Sequence, residues 1–300
     1  MASVVSSTLQ HVRRPALATT YEGVGFDLLE RVTPLVDYLE IPPDSISRTM
    51  MDRASNGRAS GRAELRPELL DQIESVTSQV GVIVHGIGLS IGSFDQWNES
   101  YLYLLDEFFS RFTPQWHSEH LGFTTVCGEN LGTMLALPRT EEMLDLVCER
   151  IRLIQERYKV PFLMEHIIHL LPDAPADYTP AGFLNEMTAR TGCGLILDAY
   201  NLECDQHNFG FDVAGFLDEL NLEPVREVHV AGGFQHEGFQ LDIHSQPTAE
   251  STLDLALNLI NRCPNLSIVT YELLKEAIPN LGHDGICAEL QRIRKAITAC

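Results

Sequence analysis

The chain has 300 residues, 44% of them hydrophobic, enough to bury a full core as one α/β domain. Its 21 Lys and Arg stand against 42 Asp and Glu, and the resulting formal charge of -21 would repel a phosphate backbone, which argues against a nucleic-acid partner. Seven cysteines, an odd number with no C-x-x-C pair, argue against a disulfide framework and against a thiolate zinc site.

The segment before Tyr21 carries Arg13 and Arg14 but lacks the apolar run of a signal peptide, and no stretch nears the ~18 apolar residues of a membrane span. The expectation is a cytoplasmic protein without membrane contact, with residues 1–20 as an N-terminal extension and 21–300 as one domain. Short apolar or β-branched runs fall at Gly23–Leu28, Val36–Ile41, Gly81–His85, Trp116–His120, Pro161–Glu165, Gly194–Asp198, Glu227–Val230 and Ser267–Glu272. These predict eight strands. Ser45–Arg62, rich in Ser and Arg, reads as a loop. Helical periodicity marks Thr140–Tyr158, Thr179–Thr191, Gly210–Leu220 and Glu250–Cys263, and a closing helix over Gly282–Cys300 puts Leu290, Ile293 and Ile297 on one side. Strands and helices taking turns predict parallel β-α units closed into a single-domain (β/α)8 TIM-type barrel.

Active sites of such barrels are assembled from the C-terminal ends of several strands. Here the third to eighth predicted strands end in or near His85, His120, Glu165, Asp198, His229 and Glu272, all able to bind metal. After the seventh strand come Asp242 and His244, whose i, i+2 spacing places both on one face of an extended segment. Taken singly, each has a plainer explanation. A histidine in an apolar run is more often a hydrogen-bonded core residue, and a strand-end carboxylate can cap the next helix or pair with Arg. Taken together, so many buried carboxylates at one barrel mouth need compensating cations, which a di- or trimetal centre would supply. Imidazole and carboxylate without thiolate suit iron, manganese or zinc alike.

The segment Val84-His-Gly-Ile-Gly-Leu-Ser-Ile-Gly-Ser93 resembles the histidine-bearing, glycine-rich strand end of the multinuclear non-heme iron oxidases, formerly a domain family of unknown function. Ser118-Glu-His-Leu121, Gly194-Leu-Ile-Leu-Asp-Ala-Tyr-Asn201, Val228-His-Val-Ala-Gly-Gly233 and Leu241-Asp-Ile-His-Ser245 resemble further motifs of that family. With Gly23-Val-Gly-Phe26, Leu137-Pro-Arg-Thr-Glu-Glu142 and Tyr271-Glu272, they run in family order along most of the chain.

The resemblance implies a barrel holding two or three irons, mixed Fe(II)/Fe(III), that uses O2 as co-substrate. The expected substrate is a peptide residue, with cysteine the best-known target, or an amino-acid-like small molecule in natural-product biosynthesis. A separate partner protein often presents the peptide. The implied ligands are His85, His120, Glu165, Asp198, His229, Asp242, His244 and Glu272, with Asp242, His244 and His120 nearest the chemistry. His166 stands where the family usually has asparagine and could retune or remove one iron; Asn201 and His207 are further candidate ligands. The alternatives are a redox-neutral divalent-metal isomerase or hydrolase on the same barrel, and a non-catalytic metal-binding scaffold.

Overall fold

The computed structural model describes residues 14–53, 59–172 and 176–299. Eight strands, β1 (Ala16–Thr20), β2 (Tyr38–Ile41), β3 (Gly81–Gly86), β4 (His117–His120), β5 (Phe162–Glu165), β6 (Gly194–Asp198), β7 (Val225–Val230) and β8 (Ile268–Tyr271), close into one barrel. Each strand lies beside its neighbours in the chain, β8 closes on β1, and every pairing is parallel. This is the predicted (β/α)8 TIM-type barrel.

The helices begin and end where their sequence signals lie. In α1 (Glu141–Tyr158), Thr140 caps the start by accepting from the Met143 amide at 3.3 Å, and left-handed Lys159 ends it. Its inward stripe is Met143, Leu144, Val147, Cys148, Ile151 and Ile154. In α2 (Pro180–Thr191), Thr179 caps ahead of a proline at the first helical position, and Gly192 at φ 71° terminates. The expected closing helix is present over Ile278–Thr298, interrupted by non-helical Gly282, and it buries Leu290, Ile293 and Ile297.

Two expectations are corrected. The first barrel strand is Ala16–Thr20, paired with β8 and β2, so the barrel begins inside the segment expected to be an extension. Gly23–Leu28 is not a strand: Gly23 and Gly25 have φ 77° and 76°, and Phe26–Val32 is a helix burying Leu28, Leu29 and Val32. Ala16-Leu-Ala-Thr-Thr carries too little β-branched character to stand out. Secondly, the polar Ser45–Arg62 region forms an antiparallel hairpin, Ser47–Arg53 against Ala59–Leu65, with Arg48 opposite Glu64 and their side chains 2.8 Å apart. Residues 54–58 lie outside the described part. A second hairpin, Gly122–Val126 with Glu129–Ala136, follows β4.

Strand alternation sorts the barrel interior into layers. Ala18, Ile83, Trp116, Leu163, Ile196 and Ile268 pack as an apolar cluster toward the N-terminal ends. Two residues further along their strands stand His85, Ser118, Glu165, Asp198 and Thr270, and two beyond Ser118 and Thr270 come His120 and Glu272. The same pleat that buries an isoleucine therefore aims a polar side chain into the barrel mouth.

Candidate metal centre at the barrel mouth

Each imidazole at the mouth is oriented by a hydrogen bond behind it. Ser118 donates its hydroxyl proton to the Val84 carbonyl at 3.0 Å, so its oxygen is left to accept from Nδ1 of His85, 2.9 Å away. Nδ1 of His120 donates to the Gly86 carbonyl at 2.9 Å. In both rings the proton sits on Nδ1, and Nε2 presents a lone pair to the interior. What these lone pairs meet is a carboxylate: Oε2 of Glu165 lies 2.9 Å from Nε2 of His85 and 3.4 Å from Nε2 of His120. Lone pairs facing lone pairs require a proton or a metal ion between them.

Glu165 reaches a second group through its other oxygen, with Oε1 3.5 Å from Nδ1 of His229. That nitrogen is also 3.0 Å from Oε2 of Glu272, which lies 3.3 Å from Nδ1 of His244. Nε2 of His244 stands 2.5 Å from Asp242 and 3.9 Å from Asp198. Asn201, with its amide nitrogen toward Asp242, donates to both carboxylate oxygens at 3.2 and 3.1 Å. The chain of contacts runs from His85 and His120 through Glu165 to His229 and Glu272, and on to His244, Asp242 and Asp198. His85, His120 and Glu165 could hold one ion between them, and Glu165, Asp198, His229 and Glu272 another.

Burial supports that use. Nε2 of His85, both oxygens of Glu165, Oδ2 of Asp198 and Nε2 of His244 are buried without a hydrogen bond. Unsatisfied buried polar atoms are rare, and five in one group of contacting side chains are what a metal ion could satisfy. Asp198 unites both explanations of a strand-end carboxylate. Its Oδ1 caps α3 (Ala199–Phe209), accepting from the Tyr200 and Asn201 amides at 2.6 and 2.8 Å, while Oδ2 faces the mouth. His244 adopts φ 37°, a left-handed conformation that is strained for histidine and that the following loop must hold in place.

Charge is strongly coupled here. Burial alone would lower His85, yet Glu165 and Glu40 beside it push its pKa up to about 10. Burial would raise Glu165, but His120, His229 and His85 hold it well below the ordinary carboxylate range. Burial lifts Asp198 to about 7, with Glu165 and Glu272 adding to it against the pull of His244.

Two sequence candidates stand apart from this group. His166 lines a small side cavity with Leu137, Phe183, Phe211 and Phe216, where burial lowers its pKa. The alternation that turns Glu165 inward turns the next residue out. His207 is exposed and donates Nε2–H to the Gly238 carbonyl at 3.1 Å. With Asn208, which pairs with the Gln240 backbone at 2.8 and 2.9 Å, it braces the loop leading to Asp242 and His244. His169 is also turned elsewhere, bonded through Nδ1 to Asp205 at 2.6 Å.

The sequence reading missed Glu40 and Glu227, both fully buried and flanking His229 from below. Glu227 could have been found from its i, i+2 spacing to His229; Glu40 lies inside an apolar run and carries no such signal. Gly86 is another constraint. A Cβ there would lie 2.1 Å from Oε1 of Glu119 and 2.3 Å from the Tyr101 hydroxyl, both buried, while its carbonyl orients His120. Gly86→Ala is expected to destabilise the fold by roughly 1–3 kcal/mol, the usual range for overpacking, read as a lowered thermal midpoint.

A closed parallel barrel with imidazoles and carboxylates converged at its C-terminal mouth is the architecture of a metal-dependent TIM-barrel enzyme. The chain belongs to the family described as RiPP precursor modification enzyme MbnB/TglH/ChrH, whose profile matches residues 28–298; RiPP denotes a ribosomally made, post-translationally modified peptide. Among its relatives is a UPF0276 protein of Caulobacter vibrioides, 34% identical over 242 residues that cover 77% of this chain and 80% of that one. Another, from Streptomyces avermitilis, is 30% identical over 271 residues, 86% of this chain and 52% of the relative. Among solved structures, D-psicose 3-epimerase of Clostridium cellulolyticum H10 superposes with a TM-score of 0.55 at 11% identity, covering 94% of this chain and 99% of the other. The 3-keto-D-glucoside 4-epimerase YcjR of E. coli gives 0.55 at 11% identity over 93% and 99%. The epimerase likenesses concern the fold. Among the described residues no helix is long and apolar enough to cross a membrane.

Proposed function

We propose that this protein is an O2-dependent oxidase with a di- or tri-iron centre that modifies a residue, cysteine first among them, of a ribosomally made peptide in natural-product biosynthesis. The observation that carries the reading is the bridged cluster: Glu165 faces two imidazoles with one oxygen and a third with the other. Such bridging suits adjacent ions that share charge. The family's description supplies the peptide substrate.

In this reading His85, His120, Glu165, Asp198, His229, Asp242, His244 and Glu272 hold the metal. Iron, when bound, supplies the oxidising power that no side chain here has, with O2 taking the electrons. The protein's own contribution is orientation and charge. Ser118 and the Gly86 carbonyl fix His85 and His120. The mouth is most open at His120 and Asp242, whose side chains are 15% and 24% exposed against 1% for Glu165, so substrate enters over these two. His120, Asp242 and His244 are the residues we assign to face it. A partner that presents the peptide would sit above this opening. The cysteines of the described chain, Cys127, Cys148, Cys193, Cys204, Cys263 and Cys287, are all free thiols, which suits the reducing cytoplasm.

The test is an O2 electrode with the Fe(II)-loaded protein and a panel of cysteine-bearing peptides, followed by peptide mass spectrometry. O2 uptake in step with a peptide mass change is expected. Turnover of a sugar by the Mn(II)-loaded protein without O2 consumption would instead establish the redox-neutral isomerase.

A further inference from the structure

Beneath the cluster, His229 is enclosed by carboxylates on both sides, and the lower pair is not among the residues assigned to hold metal. Nδ1 donates a hydrogen bond to Oε2 of Glu272 at 3.0 Å and lies 3.5 Å from Oε1 of Glu165; Nε2, buried without a hydrogen bond, faces Oε2 of Glu40 at 3.3 Å and Oε1 of Glu227 at 3.5 Å. The two lower carboxylates differ in how they are satisfied. Oε2 of Glu227 accepts from the Trp116 indole at 2.9 Å, and its Oε1 accepts from the Thr270 hydroxyl. Glu40 takes the Thr20 hydroxyl on Oε1 at 3.1 Å, whereas its Oε2 is buried without a hydrogen bond and lies 3.3 Å from Nε2 of His229.

We infer that Glu40 is the positioning carboxylate of the centre: when a metal ion held by Glu165, Asp198 and Glu272 displaces the Nδ1 proton now donated to Glu272, Glu40 would keep the remaining proton of His229 on Nε2 and so hold the ring with Nδ1 toward that site. This rests on the proposed metal-holding function of the cluster. A carboxylate behind a ligating imidazole fixes its tautomer and ring orientation and raises its basicity, and losing such a partner typically weakens metal binding roughly 10–100-fold. His85 and His120 have neutral oxygens behind them, Ser118 and the Gly86 carbonyl. His229 alone of these three has a carboxylate there, so it is the ring whose donor strength depends on a charge.

The experiment uses the full chain labelled with nitrogen-15 in histidine, with Zn(II) as a diamagnetic probe, in the wild type and in Glu40→Leu and Glu40→Gln. Leucine removes the acceptor while filling the space; glutamine can still accept from Nε2–H through its amide oxygen but lacks the charge. Ring-nitrogen spectra of the Zn(II)-loaded wild type are expected to show His229 bound through Nδ1 and protonated on Nε2. Zn(II) affinity for that ion, by chelator competition, is expected to fall about 10–100-fold in Glu40→Leu, with partial rescue in Glu40→Gln. Should the leucine variant fail to fold, the Nε2–H signal and affinity of the glutamine variant carry the test, because wild-type values in both would remove the role of the charge. Zn(II) bound to Nε2 would instead place an ion among Glu40, Glu227 and His229 and overturn the inference. Wild-type affinity in Glu40→Leu overturns it alone; a wild-type protein that takes up neither Zn(II) nor Fe(II) overturns the proposed function with it.

Discussion

Glu165→Gln is expected to abolish loading of more than one ion, with affinity reduced at least about 100-fold, the upper end of what losing even an indirect partner does. Glutamine keeps the shape and one oxygen but loses the charge. Because Oε2 faces His85 and His120 while Oε1 faces His229, this one carboxylate joins two groups of donors. Without it, the His85 and His120 rings, 4.5 Å apart between centroids, lose the carboxylate in direct contact with both of their Nε2 atoms. The contrast is with Asp242→Ala plus His244→Ala, which removes only the donors at the open end and is expected to lower the metal content by one ion per chain. Metal analysis of the two variants side by side checks the difference. Equal losses in both would show that Glu165 does not bridge.

Metal affinity and the stability of the metal-free protein are expected to move in opposite directions with pH. His85 is raised to about 10, chiefly by Glu165 and Glu40 against burial. A raised folded pKa contributes stability that is full below the ordinary histidine value near 6.5 and is lost as pH climbs through the folded one. The metal-free protein should therefore lose thermal stability as pH rises from 7 toward and past 10. Glu165 acts at the other end: held well below the usual range, its contribution is present at neutral pH and disappears as acid protonates it. A metal ion needs the imidazole without its proton, so uptake at neutral pH releases protons and tightens as pH rises, by up to about tenfold per unit for each proton displaced. Titration calorimetry in buffers of different ionisation heat measures that release. An affinity flat between pH 6 and 9 would show that the imidazoles are already deprotonated without metal.

Much of the fold and of the cluster was legible in the chain because the barrel repeats one simple rule. An apolar residue on an inward-facing pleat is followed two positions later by the mouth residue, as in Ile83 and His85, Leu163 and Glu165, or Ile196 and Asp198. Where that rule weakens, the reading failed. Ala16–Thr20 is a strand because β2 and β8 need a partner between them, a tertiary demand that its own composition does not express. The hairpin at Ser47–Leu65 is polar, and its pairing signal is a cross-strand Arg48–Glu64 contact seventeen positions wide counting both ends, which no local pattern reveals. His166, a possible ligand because it stands where the family usually has asparagine, lines the side cavity, since a single step along the chain from Glu165 reverses the direction of the side chain. Glu40 looked like part of an apolar strand, and only barrel closure brings it under His229.

The most direct measurement is the metal content of protein purified without oxygen, by plasma mass spectrometry, together with Mössbauer spectra after loading with the Mössbauer-active iron isotope. Two or three irons per chain, in coupled ferrous and ferric states and lost on replacing Glu165, is the result a bridged oxidase centre requires. One zinc or manganese per chain and no iron would contradict it and return the barrel to redox-neutral chemistry.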